Sequence, residues 1–357
     1  MSAPLRIGML GASRIAELAI LEAAARTGDV LAAVAARDPE RARAYAAEHG
    51  FERTHDEYEA LVADESLDLV YIGLPNALHA EWTARSLDAG RNVLVEKPIA
   101  ANLAEFDAVA ARLEGAAGWA WEAFHYADHP AVQRLVEIVR GGEIGELREV
   151  DVHMDMPDPG ADDPRWSFDL AGGALMDVGC YALNVLLLLG EALGEQREAA
   201  GAVRVLDAEA DVSERDPRVD EIVRASLVVG GARATVHTSM VSPGWDFGLR
   251  VTGSLGEVFL SNFVKPQEGG RLVVRTASGS GVGAETREEP VDAVSSYAYQ
   301  LRRVRDAVRS GERSAELLER SRRTMALIDE VYGACGLPPR PGRLRAPGSS
   351  GNPRRGA

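Results

Sequence analysis

Lysine is nearly absent from this sequence. Of 39 basic residues among 357, only Lys97 and Lys265 are lysines, so arginine serves wherever a plain positive charge suffices. Lysine differs from arginine because its ammonium is compact and its pKa falls readily on burial. Lys97 also follows an apolar run at 92–95 that predicts a buried strand, and ligands of open α/β sheets bind beyond the carboxyl ends of strands. We therefore expect Lys97 to act in a site; a surface lysine at a strand end is the alternative.

Three other scarcities exclude classes of protein. The two cysteines, Cys180 and Cys335, have no metal-ligand spacing, and buried free thiols in a reducing cytoplasm are expected. The seven histidines form no cysteine–histidine cluster, so no metal is predicted. Residues 1–12 lack the pattern of a secretory leader, and the longest aliphatic run, 185–189, is too short to span a bilayer. The net charge of −16 disfavours nucleic acid and anionic membranes as partners.

The length exceeds the usual size of one hydrophobic core, so two domains are expected. Residues 1–123 alternate short apolar strands with amphipathic helices, which predicts a doubly wound parallel sheet of the Rossmann type. From residue 124 to 337 strands joined by glycine-rich turns dominate, which predicts an open, mainly antiparallel sheet with a few helices. Residues 338–357 are rich in proline, glycine and arginine and predict a disordered tail. The fold class is therefore α/β followed by α+β.

The first predicted strand runs into a glycine-containing turn, GASRIA at residues 11–16, and then into a helix. In dinucleotide-binding folds the first glycine of this turn makes it tight, the second lets a pyrophosphate approach the backbone, and the third packs helix on strand. Serine and alanine replace the second and third glycines here, and an ordinary strand-to-helix turn is the alternative. The position of the turn predicts a dinucleotide site formed by Gly11, Ala12, Ser13, Arg14 and Ile15.

The end of the second strand distinguishes NAD from NADP. NAD sites place an acidic residue there to hold the ribose 2′-hydroxyl, whereas NADP sites remove that charge and add an arginine. Here Ala36 occupies the position of the acid and Arg37 follows it. An arginine can pair with a phosphate and stack on adenine, so NADP is expected and NAD is disfavoured. A solvated loop arginine is the alternative.

Two further segments carry candidate site residues. In GLPNALH at 73–79, a neutral His79 and the amide of Asn76 would support the cofactor ribose and the loop of Leu74 and Pro75, although Asn76 also suits a helix cap. In GGALMDVGCY at 172–181, Asp177 and Tyr181 lie four residues apart on one predicted helix and so share a face. With Lys97 they would supply the proton relay and the oxygen-polarising group that reversible alcohol oxidation needs.

Taken together, these motifs resemble the glucose–fructose oxidoreductase and inositol dehydrogenase family, Gfo/Idh/MocA, over residues 5 to about 335. Its most specific mark is Glu96-Lys97-Pro98, and the pattern GGA…D-x-G at 172–179 is a second. The resemblance implies that NAD(P) binds to the N-terminal Rossmann domain and that a sugar or polyol binds against the open sheet. It also implies that this sheet packs against a partner subunit, in a homodimer or homotetramer.

The resemblance assigns roles to individual residues. Lys97 becomes the catalytic lysine, Asp177 its acidic partner, and Tyr181 an acid/base where most members have histidine, as in the NADP-leaning branch with glucose–fructose oxidoreductase, dihydrodiol dehydrogenase and NDP-sugar 3-ketoreductases. We expect Lys97 to lower the pKa of the Tyr181 phenol. Glu96 and Arg165 are expected to contact the cofactor. Phe124 and Tyr126, together with the catalytic residues, are expected to contact the substrate.

These expectations combine into one leading hypothesis and two alternatives. The leading hypothesis is a cytoplasmic NADP-dependent dehydrogenase or reductase that interconverts a hydroxyl and a carbonyl on a sugar, polyol or related cyclic substrate. A reductase of nucleotide-linked ketosugars in secondary metabolism is the first alternative. A non-catalytic NADP-binding sensor is the second, because a fold alone does not determine function.

Overall fold

The computed structural model of the protein describes residues 3–194, 203–277 and 284–344. The strands are β1 (Arg6–Leu10), β2 (Val30–Ala35), β3 (Arg53–His55), β4 (Leu69–Ile72), β5 (Val93–Val95), β6 (Ala120–Glu122), β7 (Leu147–Asp155), β8 (Val203–Val212), β9 (Asp220–Val229), β10 (Ala232–Ser239), β11 (Leu249–Gly253), β12 (Gly256–Leu260), β13 (Leu272–Ala277) and β14 (Ala284–Glu289). The α-helices are α1 (Ala23–Thr27), α2 (Pro39–His49), α3 (Tyr58–Val62), α4 (His79–Asp88), α5 (Leu103–Leu113), α6 (Pro130–Arg140), α7 (Cys180–Gly194), α8 (Ser296–Ser310) and α9 (Ala315–Ala334).

The first six strands form one parallel sheet in the order β3-β2-β1-β4-β5-β6. Its central strands are short aliphatic runs because both faces are covered by helices, and every residue of β4 is buried. Helices α2 and α5 begin at side-chain caps: Asp38 accepts a hydrogen bond from the Glu40 backbone at 2.9 Å, and Asn102 accepts one from the Glu105 backbone at 2.9 Å. The predicted Rossmann architecture is confirmed.

The other eight strands form a second sheet in the order β14-β13-β12-β11-β7-β10-β9-β8. Its neighbours are antiparallel except β7 and β10, which run parallel. Residues alternate between its faces: Val223 and Leu227 on β9 are buried, whereas Arg224 and Ser226 between them are partly exposed. Helices α7 and α9 cover the buried face, and the other remains open. The expected α+β architecture is confirmed.

Helix α7 begins with an irregular turn that positions the candidate site. Residues Leu175–Gly179 form a π-helical turn directly before α7. Among the described residues, Phe168–Gly194 is the one helical stretch long and apolar enough to span a membrane, but the window that meets this test is wholly buried inside the protein. Its apolar surface therefore contributes to the core under the second sheet.

Helix α8 returns to the first sheet and completes its core. Leu301 and Val304 of α8 pack in one cluster with residues of β1. On the same helix, an Arg305 guanidinium nitrogen lies 3.5 Å from the Asp29 carboxylate and one of Arg309 lies 3.0 Å from that of Asp68. The N-terminal sheet is thus covered partly by α8, which lies far beyond the last strand of that sheet in the sequence.

The described residues after α9, up to 344, pack against the protein, although the predicted disordered tail begins at residue 338. Arg340 is fully buried, donates to the Gly172 carbonyl at 2.6 Å and forms an ion pair with Asp220. The backbone nitrogens of Arg343 and Leu344 each lie 2.7 Å from a Glu105 carboxylate oxygen. Buried acids therefore hold a segment whose composition predicts disorder. The rest of the predicted tail, 345–357, lies outside the described residues.

Candidate active site

Lys97 lies just beyond the carboxyl end of β5, where the strand-end rule places it. Its Nζ donates to the Asp177 carbonyl at 2.5 Å, lies 3.4 Å from a carboxylate oxygen of Asp177, and is 5.0 Å from the ring centroid of Tyr181. The side chain is only 14% exposed. Burial is the largest effect and would lower the pKa of Lys97, but Asp177 together with Cys180 and Glu96 outweighs it and the pKa is raised. The ammonium therefore stays charged.

Asp177 is shared between two cations. Its second carboxylate oxygen accepts a hydrogen bond from the Arg165 Nε at 2.5 Å. Burial would raise the pKa of Asp177, but Lys97 and Arg165 outweigh it and the pKa is lowered, so the carboxylate stays ionised. A nitrogen of Arg165 also lies 3.1 Å from Asp163, which lies 3.6 Å from Arg14 of the glycine-containing turn. This chain of charges links the turn to the catalytic candidates.

The paired glycines before this segment are required by close packing. A Cβ on Gly172 would lie 2.2 Å from the carbonyl oxygen of Arg165. Gly173 has φ +129°, and a Cβ there would lie 2.1 Å from a carboxylate oxygen of Asp220. The other oxygen of Asp220 accepts a hydrogen bond from the Leu175 backbone at 2.7 Å. Asp220 thus fixes the start of the π-helical turn that carries Asp177.

Tyr181 lies beside Lys97, but its hydroxyl does not face the ammonium. The hydroxyl lies 3.1 Å from the Nε2 of His125, and the ring meets Phe124 edge-on with centroids 5.5 Å apart. Burial raises the pKa of Tyr181 well above 10. The expectation that Lys97 lowers this pKa is therefore wrong for this arrangement, because the ammonium lies over the ring and the hydroxyl is buried.

His125 connects Tyr181 to Ser296 and was not among the predicted site residues. Its Nδ1 lies 2.8 Å from the Ser296 hydroxyl, and its ring stacks on Tyr297 with centroids 3.7 Å apart. Burial lowers the pKa of His125 well below 6.5, so the imidazole is neutral and carries one N–H. One nitrogen can then accept a proton while the other donates one. The only sequence signal is its place in EAFHYADHP at 122–130, which resembles a segment that lines the active site in the Gfo/Idh/MocA family.

The predicted substrate residues Phe124 and Tyr126 are both buried. The Tyr126 hydroxyl donates to Asn184 at 2.7 Å, which directs it into the core. Phe124 supports the ring of Tyr181. Glu96, a predicted cofactor contact, is also buried and accepts a hydrogen bond from the hydroxyl of Tyr71 at 2.8 Å. In this structure the three side chains have supporting contacts, and their contacts with substrate or cofactor stay predictions.

His79 and Asn76 join loops instead of facing an open site. Both nitrogens of the buried His79 lie 2.7 Å from carbonyl oxygens, Nδ1 from Pro98 and Nε2 from Leu74. Burial lowers the pKa of His79 to about 4, although the two carbonyls act in the opposite direction. The ring lies between the loop after β4 and the loop after β5, and its contact with a cofactor stays a prediction. Asn76 donates to the Ala171 carbonyl at 3.1 Å, across the cleft.

The glycine-containing turn fits a phosphate-bearing dinucleotide. Gly11 has φ +95°, and a Cβ there would lie 2.9 Å from the carbonyl oxygen of Gly73, so the turn requires glycine. The hydroxyl of Ser13 is buried yet has no hydrogen-bond partner among the described residues. Ile15 is 38% exposed, which is unusual for so large an apolar side chain. An unsatisfied donor and an uncovered apolar side chain on this turn are what a dinucleotide would satisfy.

A pocket of about 410 Å³ lies at the end of β2, lined by Ala36, Arg37, Asp56, Glu57, Tyr58 and Glu59. Arg37 therefore lies where a cofactor 2′-phosphate is expected. Arg41, one turn along α2, donates to the Ala12 carbonyl at 2.6 Å. It joins the pocket side of α2 to the glycine-containing turn and was not predicted. Two carboxylates of the pocket wall are neutralised: Asp56 lies 3.1 Å from Arg43, and Glu59 lies 2.7 Å from Arg85.

A larger cavity of about 750 Å³ lies elsewhere, between β6 and helices α6, α7 and α9. Its lining includes Glu122, Phe124, Asn184 and Arg320, but none of Lys97, Asp177 and Tyr181. Size alone therefore does not identify the reaction site in this protein. The candidate reaction site is indicated instead by the charged groups around Lys97, by the glycine-containing turn and by the pocket at Arg37.

Family models match both halves of the chain. Residues 5–123 match the oxidoreductase family with an NAD-binding Rossmann fold, and residues 132–259 match the GFO/IDH/MocA C-terminal domain. These matches cover more than half of the chain. The chain belongs to the Gfo/Idh/MocA family of oxidoreductases, as its motifs predicted.

Particular relatives span nearly the whole chain. It is 35% identical over 329 residues to D-xylose 1-dehydrogenase (NADP(+)) 2 of Haloferax volcanii, covering 91% of this chain and 95% of that protein. It is 34% identical over 350 residues to dTDP-3,4-didehydro-2,6-dideoxy-alpha-D-glucose 3-reductase of Streptomyces violaceoruber, covering 93% and 96%. The solved structure of KijD10, a 3-ketoreductase from Actinomadura kijaniata in complex with NADP and TDP-benzene, is 28% identical with a TM-score of 0.81, covering 93% and 98%.

Proposed function

We propose that this protein is an NADP-dependent oxidoreductase that interconverts a hydroxyl and a carbonyl on a sugar, polyol or related cyclic substrate. One observation carries the proposal: a charged Lys97 lies between the Asp177 carboxylate and the Tyr181 ring, at the carboxyl end of β5. The names of the relatives support both NADP and a sugar-like substrate. When bound, NADP supplies or accepts the hydride.

The residues of the chain perform the proton and charge steps. Lys97 donates to the substrate oxygen and stabilises negative charge that develops on it during reduction. Asp177 keeps that ammonium charged and fixes its position. Tyr181 donates a proton to the same oxygen, and the neutral imidazole of His125 passes its N–H proton to the phenolate as it takes one from Ser296, whose hydroxyl regains a proton from solvent. In the oxidation direction each proton moves the opposite way.

A reductase of nucleotide-linked ketosugars is the second candidate. It is favoured by the 34% identity to the dTDP-sugar 3-reductase over nearly the whole chain. Fluorescence of the reduced cofactor, followed with aldoses, inositols and ketosugars, tests the general proposal, and dTDP-linked ketosugars added to the panel test the second candidate. Hydride transfer to none of these compounds, even in a single turnover, would contradict both and favour the NADP-binding sensor.

The pocket at Arg37 predicts cofactor selectivity. We expect NADP(H) to bind about tenfold more tightly than NAD(H), or about 1.4 kcal/mol, because Arg37 pairs with the 2′-phosphate and Ala36 carries no repelling charge. Fluorescence titration of both cofactors measures the ratio. Arg37→Ala should reduce the ratio of NADP(H) affinity to NAD(H) affinity. Arg148→Ala, which removes an exposed arginine on β7, should leave that ratio unchanged. Equal affinities, or a preference for NAD(H), would contradict the prediction.

His125 predicts a second effect, on proton delivery. We expect His125→Phe to lower kcat by about ten- to a hundredfold, because it removes the relay while it keeps an aromatic ring on Tyr297. The solvent deuterium isotope effect on kcat should change as well, which lost packing alone would not cause. Ser296→Ala should change both quantities in the same direction but by less. An unchanged kcat and isotope effect in His125→Phe would exclude the relay.

We also propose a homodimer or homotetramer that forms through the open face of the second sheet, and a cytoplasmic location. The buried residues Val223 and Leu227 of β9 do not form this interface, because helices of the same chain cover them. The open face remains available, and closed symmetric assembly is common. Light scattering should give at least twice the mass of one chain at micromolar concentration, and a single-chain mass would refute assembly. The free thiols of Cys180 and Cys335 support the location.

A further inference from the structure

A cluster of metal-ligating side chains lies on the open face of the second sheet, away from Lys97. β7 and β10 are parallel neighbours whose register places His237 opposite His153. Asp155 lies two residues after His153 and so faces the same side of the sheet. The ligand atoms of these three side chains all lie within 4.8 Å of one another. We propose that His153, Asp155 and His237 bind a divalent transition-metal cation.

The distances already approach those of a bound ion. The Nδ1 of His237 lies 2.8 Å from one oxygen of Asp155, and the Nδ1 of His153 lies 3.7 Å from the other. Around a tetrahedral zinc ion with bonds of about 2.0–2.2 Å, neighbouring ligand atoms lie roughly 3.3–3.6 Å apart. Small rotations of the side chains would therefore bring all three atoms to the ion, without movement of the strands.

A fourth residue orients one of the imidazoles. The Nε2 of His153 lies 3.3 Å from a carboxylate oxygen of Asp151, and the other oxygen of Asp151 accepts a hydrogen bond from the Thr235 hydroxyl at 2.5 Å. A carboxylate that accepts the Nε2–H of a histidine leaves the Nδ1 lone pair for a metal. Such a partner is a common feature of histidine metal sites, and here it directs the Nδ1 of His153 toward Asp155.

The donor set determines the class of ion. Two imidazole nitrogens and one carboxylate oxygen suit zinc, cobalt, nickel or ferrous iron, whereas magnesium and calcium prefer oxygen ligands throughout. His153 is 41% exposed and His237 is 32% exposed in a single chain, so water, or a partner subunit that covers this face, can complete the coordination. We therefore expect moderate affinity and an open coordination position.

The sequence predicted no metal because its spacing rules look for ligands close together in the chain. His153 and Asp155 are close, but the third ligand, His237, is 82 residues from Asp155. Only the parallel pairing of β7 with β10 brings them together. The inference is independent of the proposed oxidoreductase activity.

Calorimetric titration of the chelator-treated full-length protein with zinc chloride at pH 8 tests the site. We expect one saturable site per chain in the micromolar range. His237→Gln and Asp155→Asn should each weaken binding by at least about tenfold. His49→Gln, which changes a histidine beside Glu48 on α2, should bind as the parent protein does. Cobalt chloride should give visible absorption bands in the parent protein that His237→Gln loses.

Three results would overturn the proposal: no saturable binding, binding unchanged in His237→Gln and Asp155→Asn, or binding that disappears only on Cys335→Ser. Circular dichroism and NADP binding are measured for each variant, because a ligand substitution in a folded protein must leave both unchanged. Asp151→Asn provides a second route, since it removes no ligand. It should weaken zinc binding by less than Asp155→Asn, and an equal or larger loss would contradict the assigned ligand set.

Discussion

Replacement of Lys97 by alanine should lower kcat by about a hundredfold or more and leave NADP binding within several-fold of the parent protein. Lys97 is the cation that meets the substrate oxygen, and the loss of one preorganised donor removes stabilisation that is strongest in the transition state. Asp177 keeps Arg165 as a partner in the variant, so the carboxylate is not left unpaired. Steady-state kinetics on the substrate found by the cofactor screen, with a fluorescence titration of NADPH, measures both quantities.

The only other lysine provides the matched control. Lys265 is partly buried and pairs with Glu268 at 2.7 Å instead of with Asp177. Lys265→Ala should therefore keep kcat within about twofold of the parent protein, since an isolated pair of this kind contributes little. Lys97→Arg should restore little activity, because the guanidinium is broader than the ammonium and cannot occupy the same point. If Lys97→Arg retains most of the activity, Lys97 supplies only a local positive charge.

Tyr181→Phe should reduce kcat by about a hundred- to ten-thousandfold, since it removes the one hydroxyl that donates to the substrate oxygen. The fold and the affinity for NADP should be preserved because the ring and its contacts with Phe124 remain. Tyr126→Phe is the matched control, because it removes a different buried hydroxyl, which donates to Asn184. Near-parental activity in Tyr181→Phe would assign proton transfer to Lys97 or to water.

The raised pKa of Tyr181 also predicts the pH dependence. A phenol whose pKa lies well above 10 keeps its proton below that value, so the proton donor is intact throughout the neutral range. For carbonyl reduction, kcat should therefore not fall between about pH 6 and pH 9 through loss of this proton. For alcohol oxidation, kcat should still be rising with pH at the upper end of this range, about pH 9. A plateau of the oxidation rate near neutral pH would show that the phenol titrates lower than this structure indicates.

Sequence patterns predicted most of what depends on local chain order. Buried aliphatic runs alternating with helices predicted the Rossmann half, and the strand-end rule placed Lys97 at a site. The shared face of Asp177 and Tyr181 was inferred from α-helical spacing. The structure also brings both residues to Lys97, but through a π-helical turn over Leu175–Gly179 that spacing does not reveal. Asp177 and Tyr181 therefore meet at Lys97 as predicted, although the turn that carries Asp177 is π-helical and not α-helical.

Other features, such as side-chain contacts and pKa shifts, depend on which groups meet in space. Sequence patterns do not predict those contacts. His125 and Tyr126 are adjacent, yet one reaches Tyr181 and the other is directed to Asn184. The pKa of Tyr181 depends on burial of its hydroxyl, whereas the mere nearness of Lys97 predicted the opposite shift. Composition likewise predicted disorder for the segment that Arg340 anchors through Asp220.

The return of the chain to its first sheet has a consequence for the modularity of this protein. Family boundaries near residue 123 divide the sequence in two, but α8 and residues 343–344 supply part of the surface and the capping contacts of the first half. A dinucleotide-binding half cut at that boundary would expose the apolar side chains that Leu301 and Val304 cover, and would leave the Glu105 carboxylate without those two amides. The unit that can be exchanged between proteins is therefore the whole chain through residue 344, and recombination at the sequence boundary would separate parts that fold together.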